Sequence, residues 1–301
     1  MFWKKTNAKT PDSAFPAVSF SDKAQFLEGV DPQSPEMRRR RELETSAVGD
    51  QKKFHYDGFC YCCNKPSRFL VDLLYAGDKD KKGNLVPNWR ERLVCKTCDL
   101  NNRIRASIHF LEAGCQAARN SRIYITEQST PLFQALLRRF DHLTGSEFLG
   151  TAIPYGETDP ATGFRNENVA RLSFADAGFD YVLTFDVLEH VPAYGKALAE
   201  FHRVLSPGGR LVFTVPFALG HDRNIVRARE DDNGDIVHLM EPEYHGDPIN
   251  NQGCLCFYHF GWEMLEELRN IGFTDVRANY YWSGEFAYLG AHQVIFSALK
   301  P

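Results

Sequence analysis

Five of the eight cysteines, Cys60, Cys62, Cys63, Cys95 and Cys98, fall within 39 residues. Cys60-x-x-Cys63 and Cys95-x-x-Cys98 form two knuckles separated by 31 residues. Such a knuckle brings two thiolates to one ion while backbone N–H groups point at the sulfurs, and two of them close a tetrahedral four-cysteine site. Zinc is the default occupant of a thiolate site of this kind, and with four protein ligands it keeps no position open for chemistry. The zinc is therefore expected to brace its module. Cys62 competes with Cys60 or Cys63 but fits the knuckle spacing less well. Thiols that are buried or redox-active without metal are the competing reading, and Cys115, Cys254 and Cys256 read as core thiols.

A second set of chemically competent residues lies in the polar segment 217–260. It contains His221, His238 and the run Pro242-Glu243-Tyr244-His245-Gly246-Asp247-Pro248. Connections longer than about 15 residues in compact domains tend to be functional, which makes this segment a candidate substrate lid. His238 and His245 are candidate general bases for an alcohol, amine or activated carbon. The competing reading is a set of polar loop groups that satisfy one another. No ligand spacing points to a second metal among His221, His238, His245 and Asp247.

The elements that must position these residues are legible in the apolar periodicity. The module 54–100 carries the knuckles around a charged loop, Gly77 to Asn84. Ahead of it, 1–53 reads as an arm, partly disordered or loosely docked as short helices, with a basic run at Arg38–Arg41. Residues 101–301 alternate helix and strand signals. Helices are expected at 101–118, from Thr130-Pro131 onward, at 192–205 and at 262–271. Strands are expected at 122–126, 143–149, 179–185, 210–216, 273–281 and 291–298. Alternation of this kind predicts an α/β fold with a mostly parallel sheet covered on both faces.

Composition agrees with this organisation. The chain has 301 residues, 43% hydrophobic and 25% charged, with 35 Lys+Arg against 39 Asp+Glu and a net charge of −4. That suits one main domain plus an addition, and 13% aromatic residues exclude disorder throughout. No apolar run reaches the length of a membrane span, and the opening Met1-Phe2-Trp3-Lys4-Lys5 is no secretory signal, so a cytoplasmic protein is expected. The near-neutral charge weighs against nucleic acid, with Arg38–Arg41 and Lys79–Lys82 as the local basic runs.

The most specific stretch is 166–217. Leu172-Ser173-Phe174 leads to Phe179-Asp180-Tyr181-Val182-Leu183, then Leu188-Glu189-His190-Val191, then Arg203-Val204-Leu205-Ser206-Pro207-Gly208-Gly209. This succession resembles class I S-adenosylmethionine-dependent methyltransferases of the small-molecule type, whose blocks run LEHV, a helix, and RVLxPGG. The resemblance implies a Rossmann-like methyltransferase sheet with an antiparallel edge strand. It also implies S-adenosyl-L-methionine as cofactor and a methyl transfer to a small-molecule or glycan acceptor. Carried over residue by residue, Asp186 and Val187 would pass beside the methionine half of the cofactor. Glu147 would grip both ribose hydroxyls, and Asn168 would meet the adenine amino group where relatives commonly have Asp. Glu127 would meet the cofactor's amino group, with Ser129 among the small residues of a backbone-lined site. His190 is either a base or a packing residue at the helix start. One departure stands out: the first-strand turn, Ile125-Thr126-Glu127-Gln128-Ser129-Thr130-Pro131, has no glycine where the family has a glycine-rich loop. The alternatives are a non-catalytic binding protein on the same fold, an RNA methyltransferase, or a zinc-braced interaction module.

Overall fold

The computed structural model describes residues 11–48, 52–79, 83–246, 249, 253–291 and 293–301. The chain divides into two compact units: Met1–Val18, Val30–Ala117 and Tyr281–Gln293 in one, Ser19–Gly29, Ala118–Tyr280 and Val294–Pro301 in the other. These boundaries differ from those expected at 53/54 and 100/101. The arm contributes a strand, Ala17–Phe20, and two helices, Lys23–Gly29 and Pro35–Val48. The late segment 281–293 belongs with the cysteine module, whose core Ala287 and Leu289 help to fill.

In the first unit, Lys53–Cys60, Lys65–Asp72 and Leu93–Cys95 form an antiparallel three-stranded sheet. Phe54, Phe69, Val71, Trp89 and Leu93 make its core. The helix Asn102–His109 is capped by the Asn101 side chain, which accepts from the Ile104 amide at 2.9 Å. Ile104, Ala106 and Ile108 are buried, and so is Arg105. The helix expected to reach residue 118 instead widens into a π-turn at Phe110–Gly114 and stops.

The second unit is built on a seven-stranded sheet. Its order is Ala17–Phe20, Thr274–Tyr281, Val294–Leu299, Leu205–Thr214, Phe179–Phe185, Arg122–Ile125, His142–Gly145. Arg122–Ile125 pairs in parallel with both His142–Gly145 and Phe179–Phe185, and Phe179–Phe185 in parallel with Leu205–Thr214. Val294–Leu299 is antiparallel to both its neighbours. This places it inside the sheet and not at the edge, as its four consecutive buried residues Ile295, Phe296, Ser297 and Ala298 require. The edge is taken by Ala17–Phe20. Helices Pro131–Leu137, Tyr194–Val204 and Glu263–Ile271 follow the expected pattern. The segment 217–260 is not irregular but carries three two-stranded ribbons: Ala228–Glu230 with Ile236–His238, Tyr244–His245 with Cys254–Leu255, and Ile225–Val226 with Tyr258–His259.

Candidate functional site

The chain leaves Arg122–Ile125 for a neighbour on one side, His142–Gly145, and later returns on the other side as Phe179–Phe185. This reversal is a topological switch point, and in open α/β sheets ligands bind in the crevice beyond the carboxyl ends of the strands that flank it. The turns that leave those ends are 126–130 and 186–191, which contain five of the residues singled out above.

The first turn is shaped without glycine of its own. Thr130 caps the helix Pro131–Leu137, its hydroxyl accepting from the Phe133 amide at 3.2 Å with Pro131 in the first turn. Thr126 donates its hydroxyl proton to Thr184 Oγ1 at 3.0 Å, which ties the two strand ends together. A glycine on the neighbouring strand lets this turn and the helix after it pack closely against the sheet. A Cβ on Gly145 would lie 2.9 Å from the Glu127 carbonyl oxygen and 2.5 Å from the Phe133 ring. Glu147 Oε1 accepts from the Gln128 amide at 2.8 Å and the Ser129 amide at 2.7 Å. One oxygen of the expected ribose grip is therefore engaged with the turn, and Oε2 is the one left for a ligand. The Ser129 hydroxyl is buried and has no hydrogen-bond partner among the described residues. An orphaned donor at the switch point is what a site built for a polar cofactor presents. Asn168 is in a local turn, its Oδ1 accepting from the Ala170 amide at 2.9 Å.

The second turn opens with Asp186 in the left-handed region, φ 55. A non-glycine residue held there costs free energy and persists where surrounding contacts fix it. Here the Asp186 amide donates to the Thr214 carbonyl at 2.9 Å, and Asp186 Oδ1 accepts from the Thr214 hydroxyl at 2.9 Å. Val187 then leads into the 3-10 turn Leu188–His190.

That turn meets the ribbons of 217–260. The Phe257 amide donates to the Glu189 carbonyl at 2.7 Å. His190 Nδ1 lies 2.8 Å from the Leu255 carbonyl, which can only accept, so Nδ1 carries the proton and Nε2 keeps its lone pair. His190 Nε2 and His245 Nδ1 each lie 3.7 Å from Glu189 Oε1. His245 Nε2 is 2.9 Å from Glu243 Oε1, His259 Nε2 is 3.1 Å from the same oxygen, and Arg227 holds Glu243 Oε2 at 3.1 Å. Burial pushes the Glu189 carboxyl up against the opposing pull of His245. Interaction with Cys256, then with Glu189, pushes the His245 imidazole up to about 11.

Two of the three candidate bases, His190 and His245, are thus brought together, with ring centroids 4.9 Å apart. His238 lies on a separate ribbon, opposite Ala228, and is exposed. Asp247 lies outside the described residues, as do Asp80, Lys81 and Lys82 of the charged loop. Glu189, Cys256 and His259 were not expected in the site. Their only sequence signal is adjacency to a named histidine or aromatic, and the ribbon registers that gather them are not readable from spacing.

In the other unit, the two knuckles converge. Cys60 Sγ is 3.9 Å from Cys98 Sγ, Cys63 Sγ is 3.9 Å from Cys95 Sγ, and all four sulfurs lie within 4.8 Å of one another. Zinc–sulfur bonds of ~2.3 Å in tetrahedral geometry put sulfurs about 3.8 Å apart, so the four thiols fit such an ion. The Thr97 amide points at Cys95 Sγ at 3.4 Å. Cys62 lies outside the four, with its Sγ 4.0 Å from the Arg105 carbonyl.

A methyltransferase-domain family model matches residues 130–213. A probable S-adenosylmethionine-dependent methyltransferase of Mycolicibacterium smegmatis is 33% identical over 88 residues, which is 27% of this chain and 34% of that protein. The 27-O-demethylrifamycin SV methyltransferase of Amycolatopsis mediterranei is 30% identical over 92 residues, 29% of this chain and 34% of that protein. Among solved structures, 1,6-didemethyltoxoflavin-N1-methyltransferase of Burkholderia thailandensis, with 1,6-didemethyltoxoflavin and S-adenosylhomocysteine bound, aligns with 65% of this chain and 77% of its own at 20% identity and a TM-score of 0.38. An S-adenosylmethionine-dependent methyltransferase from Mesorhizobium loti aligns with 64% and 97% at 16% identity and a TM-score of 0.41. The chain spans about a third of the length of the curated relatives it matches, and the segment it shares with them supports an S-adenosylmethionine-dependent methyltransferase domain.

Proposed function

We propose that this protein is an S-adenosyl-L-methionine-dependent methyltransferase that acts on a small-molecule or glycan acceptor, with a structural zinc in the four-cysteine module. The observation that carries the reading is the position of the methyltransferase-domain match, 130–213, which includes the helix leaving the first switch-point turn and the whole of the second. The relative named for 27-O-demethylrifamycin SV supports a small-molecule acceptor.

In this reading Ser129, Glu147 Oε2, Glu127 and Asn168 bind the cofactor's polar groups, and Asp186 and Val187 line its reactive end. S-adenosylmethionine, when bound, supplies a methyl group on a sulfonium that needs little further activation. What remains for the chain is alignment and proton removal. His190 Nε2, its tautomer set by the Leu255 carbonyl, is the proton acceptor nearest the second turn. His245 is its neighbour, and His238 is the outlying third candidate.

One observation favours a second reading, a non-catalytic binding protein on the same fold: the engagement of Glu147 Oε1 by the turn amides. Calorimetry with S-adenosylmethionine and S-adenosylhomocysteine separates the two. Micromolar binding of both, weakened by Glu147→Gln, is the expected result; no heat at millimolar ligand overturns the enzyme reading.

A further inference from the structure

Glu189 is an anomaly that proton transfer alone does not explain. Its side chain is completely buried, and neither carboxylate oxygen has a hydrogen-bond partner among the described residues. Leaving a buried charged group unsatisfied is among the costlier things a fold can do. Two imidazole nitrogens face Oε1, His190 Nε2 and His245 Nδ1, both at 3.7 Å. That distance is too long for a hydrogen bond. It is close to the separation of two ligands on one small cation, since bonds of ~2.0–2.2 Å in tetrahedral geometry put donor atoms about 3.3–3.6 Å apart.

The second nitrogen of each imidazole is already committed, in the way metal-ligating histidines usually are. His190 gives its Nδ1 proton to the Leu255 carbonyl, which turns the Nε2 lone pair toward Glu189. His245 gives its Nε2 proton to Glu243 Oε1, which leaves Nδ1 as the inward nitrogen, and the proton Nδ1 carries in the metal-free protein is released when an ion binds. Glu243 is itself fixed by Arg227 and His259. A carboxylate that receives the outer N–H of a histidine sets its tautomer and raises its basicity as a ligand. The three inward atoms lie within 4.8 Å of one another.

We propose that Glu189, His190 and His245 bind one divalent transition-metal ion of the zinc class, with an open coordination position facing the second switch-point turn. Two imidazoles and one carboxylate are a ligand set that leaves a fourth position for water or substrate. With the ion bound, His190 Nε2 and His245 Nδ1 serve as ligands and no longer as bases, and the open position takes a hydroxyl oxygen of the acceptor, whose proton passes more easily to solvent when the oxygen is metal-bound. That role rests on the methyltransferase reading; the binding of metal does not. The four-cysteine module is a separate, closed site, and the full protein therefore holds two ions of different ligand chemistry.

The test is cobalt(II) titration of the chelator-treated full-length protein, followed by metal analysis of zinc-reconstituted samples. Two equivalents are expected, one giving thiolate-to-cobalt charge-transfer absorption and one giving only the weaker ligand-field bands of a nitrogen and oxygen site. Glu189→Gln, close to isosteric, removes the second equivalent and leaves the charge-transfer band. Glu243→Gln keeps all three ligands but weakens the second site by about 10- to 100-fold. The pair of variants keeps the test decisive if one of them fails to fold. Saturation of the folded wild type at the thiolate site alone overturns the proposal, as does a Glu189→Gln protein that retains both equivalents. Calorimetry with S-adenosylmethionine is run on the same samples, so that loss of the methyltransferase reading and loss of the metal site are read separately.

Discussion

His109 offers a stability prediction that can be worked to a magnitude. The ring is fully buried, stacked on Tyr61 at 3.7 Å between centroids with an interplanar angle of 11°. Its Nε2 lies 2.8 Å from the Ser13 carbonyl and so carries the proton, while Nδ1 accepts from the Tyr288 hydroxyl at 3.1 Å. Protonating Nδ1 would break that second bond and place a cation in an apolar stack. Burial accordingly lowers the pKa of His109 from 6.5 to about 4. Above pH 6.5 neither state binds the proton and the linkage is silent. Below it the unfolded chain takes up a proton that the folded chain refuses, so stability falls with pH until about 4, where the folded state protonates too. At about 1.36 kcal/mol per unit, the loss is about 2 kcal/mol at pH 5 and about 3 kcal/mol in full. Other groups also titrate in this range, so the quantity to measure is a difference. Urea unfolding of the wild type and of His109→Gln is followed at pH 7.5 and pH 5. The variant is less stable at pH 7.5, and the gap closes by about 2 kcal/mol at pH 5. A gap that is the same at both pH values refutes the assignment of a neutral, pKa-depressed His109.

Three further outcomes follow from the site geometry. Glu147→Gln replaces a charged acceptor of two amides by a neutral one and costs roughly 2 kcal/mol, read as a lower midpoint in thermal unfolding without cofactor. Gly145→Ala drives a Cβ against the Glu127 carbonyl and the Phe133 ring; overpacking of this kind costs about 1–3 kcal/mol. An unchanged melting curve for Gly145→Ala would show that the first turn is looser than described. Replacing Cys95 and Cys98 together by Ser abolishes the thiolate-to-cobalt band of the metal-substituted protein, whereas Cys62→Ser, outside the four-sulfur group, leaves it intact.

The parts of the molecule legible in the sequence are those fixed by short-range rules. Thr130 and Pro131 mark a helix start because a capping hydroxyl and a fixed φ act within one turn, and the helix begins there. The two knuckles can be paired on paper because thiolate chemistry admits few partners. What could not be read depends on tertiary register. Glu189 is only one residue of the Leu188–Val191 block until the Tyr244–His245 ribbon is placed against its turn. Cys256, taken as a core thiol, is indeed buried, but it lies in the same group as Glu243 and His259. The strand Val294–Leu299 carries nothing in its own sequence to say that it enters between two earlier strands. Nor does the first turn announce that its Glu127 carbonyl packs against Gly145, on the neighbouring strand.

Arg105 supplies an argument for the charge state of the cysteine module that the sulfur geometry alone does not. The guanidinium is fully buried, and no carboxylate pairs with it among the described residues. Its hydrogen bonds go to the carbonyls of Phe286 at 2.8 Å and Ala287 at 2.9 Å, and it lies over the rings of Phe69 and Tyr288. Carbonyls and ring faces solvate a cation but do not neutralise it, and an uncompensated buried charge is strongly destabilising. Hydrogen bonding with Cys62 and Cys95 pushes the Cys60 thiol up, and Arg105 opposes that shift by favouring the thiolate, which makes the sulfurs the available counter-charge. A zinc ion on four thiolates carries a net charge of about −2, enough to compensate the guanidinium. Replacement of Arg105 by Met then has opposite signs in the two metal states. In the zinc-loaded protein it removes the counter-ion of an anionic site, and zinc is released faster to a competing chelator. In the metal-free protein with thiols protonated it removes a stranded cation, and swaps of that kind are neutral or stabilising by about 1–4 kcal/mol. The carbonyls of Phe286, Ala287 and Leu93 left unsatisfied cost the same in both states and cancel in the comparison. Equal release rates for wild type and Arg105→Met would mean that the guanidinium and the tetrathiolate do not sense each other, and that the buried charge is held by carbonyl dipoles alone.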